Sequence, residues 1–85
     1  MGREELQVKF GSQKSFYGKA QVLENGMGDK MLFSYDVLVA GVIEGEARVY
    51  NLKSATTLRH VKEFLLQKGF KAENKAQIKE DYLVS

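Results

Sequence analysis

The residues with the most chemical potential sit in one stretch, SATTLRHVKEFLLQKGF at 54–70. It carries the only histidine, His60, with Thr56, Thr57, Arg59 and Glu63 close by in sequence. An imidazole titrates near neutrality and can act as a general base, orient a nucleophile or bind a metal. Each of those tasks needs co-workers. The chain has no cysteine and no second histidine, and a single His/Glu pair three residues apart is an incomplete metal site. Asp29, Asp36 and Glu44 are too scattered to form a paired acid and base. The glycine-rich NGMGD at 25–29 lacks the Lys-Ser/Thr and the strand-to-helix setting of a phosphate loop. No catalytic, cofactor-binding or metal-ligating residue is assigned, and the chain is expected to be non-enzymatic and free of cofactors.

The element that positions His60 is a helix. Leu58, Val61, Phe64 and Leu65 recur at i, i+3, i+6 and i+7, an apolar stripe at helical spacing. Ser54 can accept from the opening amides, Gly69 can take the left-handed residue that ends the helix, and Phe70 can fold back onto the cap. At about 100° per residue, Thr56, Arg59, Glu63 and Gln67 fall opposite the stripe, and His60 falls at its margin beside Phe64. Arg59, Lys62, Leu66 and Glu63 then read as a partner-binding face: Leu66 is an apolar spot next to positive charge, off the main stripe. The plainer alternative is that Tyr82 or Leu83 covers Leu66.

The rest of the chain supplies strands. Leu6, Val8 and Phe10 alternate with Gln7 and Lys9, the period of a half-buried strand, and 11–14 read as a turn. Alternation resumes over 15–23, and Asn25-Gly26 within ENGMGD marks a hairpin. The run from Met31 to Ile43 is long for one strand and bends at Ser34-Tyr35-Asp36. Glu44-Gly45 turns into Ala47 and Val49. Asn74 opens a short second helix over about 75–82. The expected fold is α+β: an antiparallel meander of four to five strands packed by the 55–68 helix, with the second helix at the end. One domain spans 1–85, its strand region 5–52 and its helical region 54–83. Tyr17, Phe33, Tyr35 and Tyr50 fall on strands, as core or cross-strand partners or as rings able to stack bases.

At 85 residues, with 44% hydrophobic and 28% charged side chains, the composition is that of one globular domain rather than a disordered segment. Without cysteine it must hold by packing alone, which suits a reducing compartment. MGREELQVKF has charges where a signal peptide needs an apolar run, and no segment approaches membrane-spanning length. A soluble cytoplasmic protein with no membrane partner is expected. The net charge of +2 decides nothing, but residues 53–85 are the more basic part, with seven Lys/Arg against four Asp/Glu. Nucleic acid is therefore the second partner class, through this carboxy-terminal region.

Two stretches, SYDVLVA at 34–40 and SATTLRHVKEFL at 54–65 with Gly69, resemble an uncharacterised family of small bacteriophage and mobile-element proteins. The matching positions are Ser34, Tyr35, Asp36, Val39, Ala40, Ser54, Thr56, Thr57, Arg59, His60, Glu63, Phe64, Leu65 and Gly69, and the likeness covers roughly 30–70. Val37 and Lys62 depart from its pattern, which has Thr and Asn there. The resemblance implies a phage-like provenance. Together with the small size, single domain and lack of a catalytic constellation, this leads to the expectation of an accessory protein in the cytoplasm of a bacterial host, binding a host or phage protein such as a defence or transcription complex and inhibiting it. It brings no activity. It also suggests a shared structural task for the polar residues, with Thr56 completing the cap and Arg59 or His60 anchoring the helix to the sheet near Tyr35 and Asp36. Arg59, with its planar fork, suits Asp36.

Overall fold

A computed structural model describes residues 3–11 and 14–84, so the turn expected at 11–14 lies partly outside the described residues, at Ser12 and Gln13. Three short turns organise the sheet. The first joins β2 (Ala20–Glu24) to β3 (Lys30–Ser34). Here Asn25 Oδ1 accepts from the backbone amides of Met27 at 2.9 Å and Asp29 at 3.1 Å, the side chain standing in for a backbone turn. The second joins β3 to β4 (Val37–Ile43) through Tyr35 and Asp36, with φ of 51° and 66°. The third joins β4 to β5 (Glu46–Val49) through Glu44 and Gly45, with φ of 53° and 81°. Positive φ at both central residues gives a two-residue hairpin the twist of its strands. Asp29 Oδ1 also accepts from the Glu44 amide at 3.0 Å, linking the first turn to the third.

With β1 (Arg3–Glu5), these strands form a five-stranded antiparallel sheet in the order β1-β2-β3-β4-β5. Between β3 and β4 the register shifts at Leu32/Phe33, where Phe33 pairs with Leu38 and Leu32 with Ala40. Val39 is the extra residue, a bulge.

Helix α1 (Ala55–Gln67) begins as its sequence predicts: Ser54 Oγ accepts from the Thr57 amide at 3.0 Å. It ends at Gly69 (φ 84°), with the Phe70 amide donating to the Leu65 carbonyl at 2.9 Å. Helix α2 (Lys75–Tyr82) is opened by Asn74, whose side chain accepts from the Gln77 amide. Beyond it the Val84 amide donates to the Val49 carbonyl, tying the carboxy end to β5. Both helices pack on one face of the sheet. Leu32, Ala40, Val49, Val61, Phe64, Leu65 and Ile78 are fully buried between them.

The beginning of the chain departs from its sequence pattern. The strand expected over Leu6, Val8 and Phe10 lies instead at Arg3–Glu5, and the ladder runs one bond further, from the Leu6 amide to the Ala20 carbonyl. Residues 7–11 then leave the sheet. Leu6 is buried, yet Phe10 is 61% exposed. The strand expected over 15–23 starts only at Ala20, because Tyr17 and Gly18 take positive φ in a turn.

Candidate interaction surface

His60 is on the inside of the molecule, 1% exposed, not at a solvent margin. Its Nδ1 lies 2.8 Å from Ser34 Oγ on β3, and the Ser34 hydroxyl also approaches Thr57 Oγ1 at 3.5 Å. The Ser54 hydroxyl donates to that same Thr57 oxygen at 2.9 Å. Phe16 meets the imidazole edge-on at a centroid distance of 4.6 Å, and Tyr35 lies against it at 6.0 Å. Ser34 and His60 stand at the spacing at which a base activates a hydroxyl. Both are closed off from solvent, however, so their bond joins helix to sheet. Burial, followed by the neighbouring Arg59 charge, holds the imidazole below its ordinary pKa of 6.5 and favours the neutral ring.

Of the other anchoring residues, Asp36 does not meet Arg59. Its carboxylate takes Arg3 at 2.9 Å, and the Arg3 guanidinium lies 3.9 Å above the Phe33 ring. The reason is helical geometry: with His60 turned toward the sheet, Arg59, one residue back, is turned outward and exposed. Thr56 is half-buried, and Ser54 and Thr57 do the capping.

Glu63, expected on the open side of the helix, is 3% exposed. The chain leaving β1 covers it. Its Oε1 accepts from the amides of Phe10 at 3.0 Å and Gly11 at 2.8 Å, and its Oε2 from the Lys9 amide at 3.1 Å and Gln67 Nε2 at 2.7 Å. Gln67 also donates to the Gln7 carbonyl. Burial alone would raise the pKa of this carboxyl. The hydrogen bonds from Gln67, Gly11, Phe10 and Lys9 outweigh it and hold the group below its ordinary 4.5. Three successive backbone amides on one carboxylate form an anion cradle filled by the protein's own side chain.

The consequence is a concavity of about 390 Å³ between α1 and the chain at Phe10, Gly11 and Phe16, lined by these three with Arg59, Lys62, Glu63 and Leu66. The four residues picked out from sequence as partner-binding thus come together, though in unequal parts. Arg59 and Lys62 supply positive charge and Leu66 an apolar floor, whereas Glu63 stays ionised with its oxygens taken up by the amides it binds. Leu66 is only half-buried, and Phe10, at its side, is the residue that sequence reasoning missed. Its place in an alternating run marked it as a strand residue. A larger groove of about 620 Å³ runs along the β1 side, and Glu4, Glu24, Lys9, Lys30 and Lys68 are among the residues that line it. Among the described residues no group of three His, Asp or Glu side chains is placed to hold a metal. No helix among them is long and apolar enough to cross a membrane.

Residues 5–80 match the model of a family of unknown function, DUF8033. The chain belongs to that family. The match reaches well beyond the 30–70 region of the sequence resemblance and takes in most of the sheet, α1 and nearly all of α2. No curated protein and no solved structure matches the chain.

Proposed function

We propose that this protein is a non-enzymatic binding module that engages an acidic, partly apolar protein segment at the concavity between α1 and the chain at Phe10, Gly11 and Phe16. One observation carries the reading: Phe10 stands 61% exposed at the rim of a hollow that also holds Leu66, Arg59 and Lys62. An aromatic ring costs free energy when held in water and contributes most when a partner covers it. Arg59 and Lys62 have no ion pair with any described residue. Two cations beside an uncovered aromatic ring favour a carboxylate-bearing partner, and their field would speed its approach. The biological setting we infer is that of a phage or mobile-element accessory protein acting on a host or phage protein in the bacterial cytoplasm, as an inhibitor of a complex such as a defence or transcription assembly.

The test compares the wild type with Phe10→Ser and with Arg59→Glu/Lys62→Glu in quantitative capture from a bacterial lysate. The reading expects the same captured protein to be lost with both variants while the melting temperature holds. Capture retained by both variants would remove the concavity from the mechanism. Nucleic acid is the second reading, favoured by the seven Lys/Arg of residues 53–85. DNA or RNA affinity that falls steeply with salt would establish it in place of the first, because phosphate contacts release counterions.

A further inference from the structure

Both helices occupy one face of the sheet, and the opposite face is apolar. The pairing register defines that face. Leu32 and Ser34 point to the helices, since Leu32 is fully buried in the core and Ser34 bonds His60. Met31 and Phe33 therefore point away, together with the residues paired to them: Leu23 and Gln21 on β2, Gly41 and Leu38 on β4. Ile43 joins them, its side chain lying over Gly41. Leu23, Met31, Phe33, Leu38 and Ile43 make a contiguous patch across the three central strands. None of the five is part of the core between sheet and helices or packed against it. Leu38 is 40% exposed, the other four are half-buried, and the Phe33 ring has the Arg3 guanidinium over it. A sheet face of this composition, rimmed by charge, is the mark of an interface.

We propose that this face is covered by a second copy of the same chain, sheet against sheet, in a reversible dimer. The rim argues for self-association over an acidic or a basic partner. Arg3 and Glu5 lie on one edge strand, paired with Leu23 and Gln21, and Arg48 and Glu46 lie on the other, paired with Gly41 and Ile43. Each edge thus carries one cation and one anion two residues apart on the same face; within one copy Arg48 pairs with Glu46 at 3.5 Å and Arg3 with Asp36 at 2.9 Å, so the dimer contact exchanges partners rather than pairing free charges. A two-fold axis lying across the strands reverses an edge strand upon its own copy, so the members of such a pair exchange places and opposite charges meet. An isologous interface requires that kind of self-complementarity. The area is consistent with a weak dimer. Five strands about 4.8 Å apart, over about five residues of 3.3 Å rise, give a face of roughly 400 Å² per copy. Two such faces, about 800 Å² together, fall below the roughly 1,200 Å² of stable specific interfaces and suit only weak, transient association.

The experiment is sedimentation of the full chain over about a hundredfold range of concentration, where mass action must shift a reversible dimer, beside Phe33→Glu and Leu38→Lys. The wild type is expected to pass from a 9.6 kDa species to one of twice that mass, and both variants to stay monomeric at every concentration. Leu38 is exposed, so Leu38→Lys folds and its melting temperature at low concentration matches the wild type. Amide shifts of the wild type on dilution give a second readout and are expected to concentrate on β3 and β4. A wild type that stays monomeric throughout overturns the proposal. So does a dimer that survives both substitutions, or one whose dilution shifts map to the concavity beside Phe10.

Discussion

Replacing Glu63 by alanine should release residues 9–11 from the helix and destabilise the whole domain. The carboxylate accepts from three backbone amides and one side-chain amide, at 2.7–3.1 Å. A hydrogen bond to a charged group contributes about 1.5–3 kcal/mol net. The four are not additive, because burial of the carboxylate opposes them and Lys9 and Phe10, both exposed, can turn their amides to water once freed. The worth of two such bonds near the lower end of that range, about 3–4 kcal/mol, is the expected loss. In a domain of this size that corresponds to a fall in melting temperature on the order of 12–32 °C. Glu63→Gln keeps one acceptor oxygen but turns an NH₂ toward amide donors, so it should rank between alanine and wild type. The assay is thermal and urea unfolding of the three proteins, with amide hydrogen exchange at Phe10 and Gly11. Those two amides should be protected in the wild type and exchange freely in Glu63→Ala. A melting temperature within about 2 °C of wild type, far below the shift this loss implies, would refute the reasoning. So would unprotected Phe10 and Gly11 amides in the wild type.

Phe64→Ala should cost about 3–5 kcal/mol in unfolding free energy, more than any polar change in α1 other than Glu63, since its ring is fully buried; urea denaturation measures it. Because the His60 pKa is lowered in the folded state, the unfolded chain takes the proton first. The stability due to the neutral ring is therefore complete above pH 6.5 and is lost as pH falls below it. Unfolding free energies at pH 7 and pH 5.5 should differ more in wild type than in His60→Gln, and an NMR titration showing His60 protonated above 6.5 would contradict this. The carboxylate of Glu63, with its pKa below 4.5, adds a second loss at lower pH as the group protonates. Gly69→Ala should cost about 1 kcal/mol from backbone strain alone, since φ is 84° and the added methyl group meets nothing within 4 Å.

What the sequence determined by itself is everything whose partners are near in the chain. Ser54 caps α1 through an amide three residues on, Gly69 ends it, and Asn25 and Glu44-Gly45 turn their hairpins. These bonds close over a few residues, where residue type alone decides which conformation satisfies the backbone. The α+β meander follows from them, and so does the grouping of Arg59, Lys62 and Leu66 on one helix.

Only the tertiary structure decided the rest. Alternation at Leu6, Val8 and Phe10 is the same pattern whether the chain continues a sheet or crosses a helix; the choice was made by Glu63, more than fifty residues away, collecting the amides of Lys9, Phe10 and Gly11. Likewise Asp36 found Arg3 and His60 found Ser34, pairings set by sheet order rather than by spacing. Along β3 and β4 apolar residues point both ways, so the pattern could not say which face the helices would take. The buried bond between Ser34 and His60 marks the face they took. The other face, with Met31, Phe33 and Leu38, carries no helix because two helices following a single meander cover only one side of it.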